Sequence, residues 1–393
     1  MARILFTVPP LTGHLNPALA VAELLAAQGH TVAWAVHARQ IGDKLPPRSR
    51  VYPLDTAADA DSAGAAPAAR GPESVRLYFE EYAMPMARRV LQPLEASVRD
   101  FCPEVMVVDH QMQGGALVAR KLGLPWVSLV TTSASIQRIT PTLDAWVAEH
   151  YLGLQRTYLQ PEMIVERPDF SPHRVIVFSI EALIGTAHAL IEAPYRFVGP
   201  AQGPGRRQID FPWDWLRADR RKLLVTLGTV SRDHDSRFFE VIMAAVADLP
   251  DVQAVLAAPM HLAAQAPDNV LVRDYVPQLE LLQRIDGVIC HAGHNTVCEA
   301  LTRGLPLIVA PIRDDQPVVA RQVIDAGAAL FMRYGKVTPA AARSAIEKLF
   351  STPALVAAAR TLGQTLREAP GAAGAAALIA ELIAPGLPRQ RVN

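Results

Sequence analysis

Two histidines, two carboxylates and a glycine that opens a helix are the residues of this chain best suited to chemistry. His14 lies in Thr12-Gly13-His14-Leu15-Asn16-Pro17, between the apolar run Ile4 to Val8 and a helical pattern that starts at Asn16-Pro17. A neutral imidazole there can take a proton from a hydroxyl, because its pKa lies near working pH. It acts best when a carboxylate holds its second nitrogen. Asp109, which ends the apolar run Val105 to Val108, is placed to supply one. Local capping or packing is the other use of a lone histidine.

A second group is His291-Ala292-Gly293-His294-Asn295-Thr296, between the run Gly287 to Cys290 and a helix reaching about Arg303. Gly293 allows close backbone approach, and the free N–H groups of a helix N-terminus suit a diphosphate. His291, Asn295 and Thr296 add donors. Thr296-Val297-Cys298-Glu299 also fits a capping box, which needs no ligand, and both readings stand. The third group, Asp314-Asp315-Gln316, follows Leu307 to Ala310 and Pro311. A carboxylate beside an amide can grip adjacent sugar hydroxyls, and an acidic turn is the plain alternative.

All three groups fall where strands end and helices begin, the edge at which open α/β sheets bind ligands. A βαβ unit is read from Ile4–Val8, a helix over 18–28 stopping at Gly29, and Thr31–Val36. Asn16 is expected as its N-cap and Pro17 as its first helical residue. Further strands are expected at 105–108, 125–130, 223–227, 252–257, 270–272, 287–290 and 307–310, with helices at 114–122, 237–247 and 353–383. Residues 55–72, rich in Ala, Gly, Pro and Asp, read as a mobile loop, and 133–170 as a helical insertion. The expected domains are 1–198 and 220–370, joined by a linker at 199–219 rich in Gly and Pro. A tail at 371–393 is expected to pack back toward the first domain.

The 393 residues exceed the roughly 250–300 that one core supports, which agrees with two domains. The formal net charge is zero, so the electrostatic term behind non-specific nucleic-acid binding is missing. No apolar run reaches the ~18 residues of a spanning helix. Three cysteines without a CxxC pair point to a reducing cytoplasm, and Cys290 and Cys298 read as core. Asp233-His234-Asp235 and Asp59-Ala60-Asp61 lack companion ligands, so no metal is expected. No GxGxxG follows an expected strand, which disfavours a dinucleotide cofactor.

Gly13-His14-Leu15-Asn16-Pro17, Val276-Pro277-Gln278-Leu279, His291-Ala292-Gly293 with Asn295-Thr296, Glu299-Ala300-Leu301, Gly304-Leu305-Pro306 and Asp315-Gln316 carry a resemblance over nearly the whole chain. It is strongest from Tyr275 to Gln316. The sequence resembles the UDP-glycosyltransferase superfamily of family 1, with the GT-B fold, and most of all the bacterial macrolide and natural-product subfamily. That fold is two Rossmann-like β/α/β domains facing across a cleft.

The resemblance implies roles. His14 is the general base and Asp109 its orienting partner. Tyr275 replaces the tryptophan that stacks on the nucleotide base, next to Val276. Gln278 and Glu299 hold the ribose and its vicinity. His291, Gly293, Asn295 and Thr296 form the diphosphate site, with Thr229 near the phosphates. Asp315 and Gln316 bind the sugar. His294 stands where the family usually has an aromatic or apolar residue. The implied reaction is inverting transfer of a hexose from a UDP- or TDP-sugar to a hydroxyl of a small acceptor, without metal or further cofactor, by a monomer or homodimer. Tyr78, Phe79, Tyr82, Met84, Met86 and Trp146 suggest an apolar or aromatic acceptor, though half of them read equally well as core. A nucleotide-sugar epimerase of the same architecture and a non-catalytic helper are the alternatives.

Overall fold

The computed structural model describes residues 1–55, 71–185, 190–201, 209–228 and 236–383. Residues 56–70 of the expected loop 55–72, the acidic triplet at 233–235, Thr229 and residues 384–393 of the expected tail 371–393 lie outside the described residues.

The chain forms two parallel sheets. The first holds β1 (Arg3–Thr7), β2 (Thr31–Val36), β3 (Arg50–Pro53), β4 (Val105–Asp109), β5 (Trp126–Val130), β6 (Val175–Val177) and β7 (Tyr195–Phe197), in the order β3-β2-β1-β4-β5-β6-β7. The second holds β8 (Arg221–Thr226), β9 (Val252–Ala257), β10 (Val270–Arg273), β11 (Gly287–Cys290), β12 (Leu307–Val309) and β13 (Ala329–Phe331), in the order β10-β9-β8-β11-β12-β13. The central strands are buried along their whole length, as helices on both faces of a parallel sheet require.

In each sheet the strand order reverses once. The first does so between β1 and β4, which pair in register from Ile4 with Val105 to Thr7 with Val108. The second does so between β8 and β11, paired from Gly287 with Leu223 to Cys290 with Thr226. Such switch points leave a crevice at the carboxyl ends of the strands. His14 follows β1 and Asp109 ends β4, while His291 follows β11. The sequence therefore puts its candidate groups at the two switch points.

The first helix departs from expectation. It runs Thr12–Ala27 with Leu11 as N-cap, so Pro17 lies inside it and Asn16 is not the cap. Proline has no N–H, which leaves the carbonyl four residues earlier, that of Gly13, without its helical partner. The insertion contains helix Pro141–Arg156, whose N-cap Thr140 accepts from the Leu143 N–H at 3.2 Å.

The C-terminal stretch is two helices, Pro353–Glu368 and Gly371–Ile383, broken at Ala369-Pro370. Ala375, Ala376 and Ile379 of the second join the core of Leu15, Val21 and Leu25 on the first helix of the chain. Arg174 fastens it, donating to the Leu378 carbonyl at 2.8 Å and meeting Glu381 at 2.6 Å. Phe211, Trp213 and Trp215, read from sequence as linker, pack on the core of the second domain. Among the described residues no helix is long and apolar enough to cross a membrane.

Candidate active site

Asp109 is fully buried and its Oδ2 lies 2.9 Å from Nδ1 of His14. Its Oδ1 accepts from the Gln111 N–H at 2.9 Å. Burial pushes the carboxyl up, but the adjacent His14, its hydrogen bond and His110 pull harder, so the pKa stands below its ordinary value. An ionised Asp109 fixes the proton on His14 Nδ1 and leaves the Nε2 lone pair for an acceptor proton. Thr131 Oγ1, just beyond β5, lies 2.8 Å from the same Nδ1.

Sequence reasoning missed Thr131 and His110. His110 is buried, with Nδ1 3.2 Å from the Leu129 carbonyl and Nε2 2.8 Å from Ser135 Oγ. Its only signal was adjacency to Asp109. His14, Asp109 and His110 present ligand atoms within 4.8 Å of one another, the spacing of a metal site. A carbonyl only accepts, so His110 Nδ1 must carry its proton toward Leu129 and has no lone pair for a cation.

Across the cleft stands helix His294–Thr302, with Gly293 as N-cap and no side-chain cap. The capping box is not formed. Glu299 instead accepts from Gln278 Nε2 at 2.5 Å, and the first N–H groups of the helix are left for a ligand. His291 is wedged beside this terminus. A Cβ on Gly293 would lie 2.5 Å from its Nε2, and one on Gly228 at 2.8 Å, so glycine at both places makes room for the ring. His291 Nδ1 is buried without a partner. Burial pushes the His291 pKa down to about 4, against the opposing pull of Asp315 and a backbone bond at Thr226. The ring is neutral at pH 7 and carries a single N–H, which either the Thr226 backbone or a ligand can accept.

Asp315 is the N-cap of helix Gln316–Asp325 but caps nothing with its side chain, which leaves the carboxylate for a ligand. Gln316 is bound differently. Its Oε1 accepts from the N–H groups of Ile312 at 2.9 Å and Arg313 at 3.1 Å. Only its amide nitrogen remains for a ligand. Tyr275 is 59% exposed, a surface on which a flat ring can lie. Val276 packs into the core, so that position offers a ligand its backbone.

The domains touch at the site itself. Asn295 Nδ2 donates to the Gly13 carbonyl at 3.0 Å, and Ser74 Oγ accepts from the Asp314 N–H at 3.1 Å. Asp314 has φ of 56°, the left-handed region that side chains other than glycine rarely adopt. Thr296, in the first turn of the same helix as Asn295, is partly buried.

On the first domain, Tyr78 donates from its hydroxyl to Gln111 Oε1 at 2.8 Å, two residues from Asp109. Phe79 meets Trp146 edge-on at 5.5 Å, and Tyr78 lies 5.8 Å from Tyr82. These four are part-exposed aromatics, whereas Met84 and Met86 are core residues.

Residues 240–382 match the model of the erythromycin biosynthesis protein CIII-like C-terminal domain. Oleandomycin glycosyltransferase of Streptomyces antibioticus is 30% identical over 335 residues, 77% of this chain and 73% of that protein. The chain is a family 1 UDP-glycosyltransferase. As a glycosyltransferase of the macrolide and natural-product type, it shares its fold with solved relatives. The glycotransferase of kitacinnamycin superposes with a TM-score of 0.78 at 26% identity, over 97% of this chain and 98% of that one. A spinosyn rhamnosyltransferase complexed with thymidine diphosphate gives 0.73 at 21% identity, over 97% of this chain and 100% of that one, a likeness of fold. Both are GT-B structures, and the two switch-point sheets of this transferase are the Rossmann-like halves of that fold.

Proposed function

We propose that this glycosyltransferase inverts configuration as it moves a hexose from UDP or TDP to a hydroxyl of a small apolar or aromatic acceptor. The observation that carries this reading is the His14–Asp109 dyad, 2.9 Å apart, facing an uncapped helix N-terminus across one cleft. His14 Nε2 takes the acceptor proton. The acceptor oxygen bonds to the anomeric carbon as the bond to the diphosphate oxygen breaks, and that electron pair leaves with the nucleoside diphosphate. Attack from the face opposite the leaving group inverts the centre.

Negative charge grows on the diphosphate, where the free N–H groups of His294–Thr302 and the neutral His291 ring stand ready. That supply of donors takes the electrostatic role a metal would fill. Tyr275 stacks on the base, Gln278 and Glu299 hold the ribose, and Asp315 with the Gln316 amide nitrogen reads the sugar. Thymidine diphosphate in the spinosyn rhamnosyltransferase supports a TDP donor, and the part-exposed Tyr78, Phe79, Tyr82 and Trp146 support an aromatic acceptor.

The test offers UDP-glucose and TDP-glucose with a panel of hydroxylated aromatic aglycones. Product with a β-linkage from an α-linked donor is expected. A retained anomer would overturn the inverting reading, and donor consumption without any glycoside would overturn transfer to a hydroxyl acceptor.

A further inference from the structure

His294, in the first turn of helix His294–Thr302, is buried and has no part in the proposed reaction. It is 5% exposed and reaches into the other domain at both ring nitrogens. Nε2 lies 3.0 Å from the Phe178 carbonyl, beyond β6, and Nδ1 lies 3.2 Å from Ser133 Oγ, beyond β5. Ser133 Oγ also meets the side-chain amide of Gln322, on helix Gln316–Asp325. The Gln322 amide meets that of Gln137 at 2.9 Å. All four side chains are at most 5% exposed, so each polar atom must find its partner inside this chain of bonds.

Hydrogen-bond balance sets the direction of the chain. The Phe178 carbonyl only accepts, so His294 Nε2 carries the proton. Burial holds the ring neutral, which makes Nδ1 an acceptor and obliges the Ser133 hydroxyl to donate to it. Ser133 must then accept from Gln322. The amide ends of Gln322 and Gln137 have the same shape, and turning both over satisfies this. The turn also places a carbonyl oxygen where Gln137 otherwise buries an unpartnered NH2, the less costly orphan. Every donor then points from Gln137 toward Phe178.

The same short segment holds the base cluster. Thr131 Oγ1 lies 2.8 Å from His14 Nδ1, and Ser135 Oγ lies 2.8 Å from His110 Nε2. Thr131 thus serves the dyad and Ser135 the neighbouring His110, while Ser133 and Gln137, between and beyond them, bind the two helices of the donor domain. Residues 133–136 form one 3-10 turn, too short to absorb a shift between its ends.

We propose that Ser133 is a positioning residue for the glycosyl transfer: through the Ser133–His294 and Ser133–Gln322 bonds, the seating of the donor domain sets the place of Thr131 and hence the orientation of His14. This rests on His14 being the base. When the donor domain is seated, Thr131 and Asp109 together pin Nδ1. When it is not, the segment shifts and the imidazole loses one of its two supports. A base displaced by about 1 Å loses rate steeply, on the order of 10²-fold.

The experiment compares wild type, Ser133→Ala, Ser133→Thr and Ser133→Ala in a Thr131→Val background. Ser133→Ala is expected to lower kcat about 10- to 100-fold, to leave the calorimetric Kd for UDP and TDP within about twofold, and to be rescued in part by Ser133→Thr. In the Thr131→Val background the Ser133→Ala loss is expected to shrink to about twofold or less, because residues acting through one path are not additive. Histidine-selective ¹⁵N spectra give a readout that needs no acceptor: the His14 ring signals move in Ser133→Ala. Unchanged His14 signals, an unchanged kcat, or a Kd that rises as far as kcat falls would each overturn the proposal. A wild type that transfers nothing would fail the transferase reading, and the ring signals would still decide this one.

Discussion

Asn295, on helix His294–Thr302, donates its side-chain N–H to the carbonyl of Gly13, the residue before the proposed base His14, at 3.0 Å. Pro17 explains why that carbonyl is free. It lies inside helix Thr12–Ala27 and has no N–H to return to Gly13. A sequence feature that looks like a helix start is therefore a missing helical bond, and the other domain fills it.

Asn295→Ala is expected to reduce kcat about 10-fold while the Kd for UDP or TDP changes by about twofold or less, since the contact orients the base loop. Pro17→Ala restores a helical N–H that competes for the same carbonyl, and a smaller loss in the same direction is expected. Steady-state kinetics beside calorimetry checks both. Nucleotide affinity falling as far as the rate would return Asn295 to the diphosphate, the role the resemblance implies.

His14→Ala is expected to lower kcat by roughly 10²–10⁴ with nucleotide binding intact, the usual contribution of a general base. Asp109→Asn keeps the base but loses the charge that orders its proton, so a smaller loss is expected. Turnover of an unactivated alcohol by His14→Ala at the wild-type rate would remove His14 from the chemistry.

Chelation is expected to leave the rate unchanged. In the proposed reaction the leaving diphosphate faces a helix N-terminus, whose dipole supplies positive potential without an ion. Initial rates with and without EDTA test this, and a loss restored by magnesium or manganese would refute it.

Burial of His291 predicts a pH dependence of stability. Its folded pKa of about 4 lies below the ordinary 6.5, so between those values the unfolded chain binds the extra proton. Stability therefore falls as pH drops from 6.5 toward 4. His110, His173 and His294 are also held low by burial and act in the same direction. Urea midpoints at about pH 7 and about pH 5 should differ less in His291→Gln than in wild type. An equal difference would mean the ring is not held neutral.

The strands that carry the site were legible because Ile4–Val8, Val105–Val108 and Gly287–Cys290 are short, mostly apolar runs ending in punctuation. Arg50–Pro53, Val175–Val177, Tyr195–Phe197 and Ala329–Phe331 were not expected. Each has only three or four residues, too few to show a period, and all but the fully buried Val175–Val177 are edge strands with incomplete burial. Asp109 and His14 were legible as a pair, since each stands at a strand end. Thr131, Ser133 and Ser135 were not, because a hydroxyl after a strand looks like any loop residue until the fold brings His14, His294 and His110 against it. The capping box failed for a related reason. The helix begins two residues before Thr296, and Gln278, distant in sequence, takes Glu299.

Asp315 and Gln316, adjacent in sequence and paired by resemblance, are expected to separate under mutation. Asp315 makes no capping bond with its side chain, so its carboxylate is available to sugar hydroxyls. Removing it should cost one charged hydrogen bond, roughly 1.5–3 kcal/mol, in transfer of a fully hydroxylated hexose. Nucleotide affinity and folding stability should hold, and a donor lacking the contacted hydroxyls should be indifferent. Gln316 closes the turn before it by accepting from Ile312 and Arg313. Gln316→Ala strands both N–H groups, at roughly 1–3 kcal/mol for each one left buried and unpaired. It should lower the melting temperature as well as the rate. Gln316→Glu keeps an acceptor for the turn but loses the amide donor, so stability should return while hexose transfer stays impaired. Thermal melts and kcat/KM for glucose and deoxyglucose donors, across the three variants, separate the roles. Equal melting temperatures for Gln316→Ala and wild type would deny the turn its clasp, and equal sensitivity of both donors to Asp315→Ala would move sugar reading to other residues.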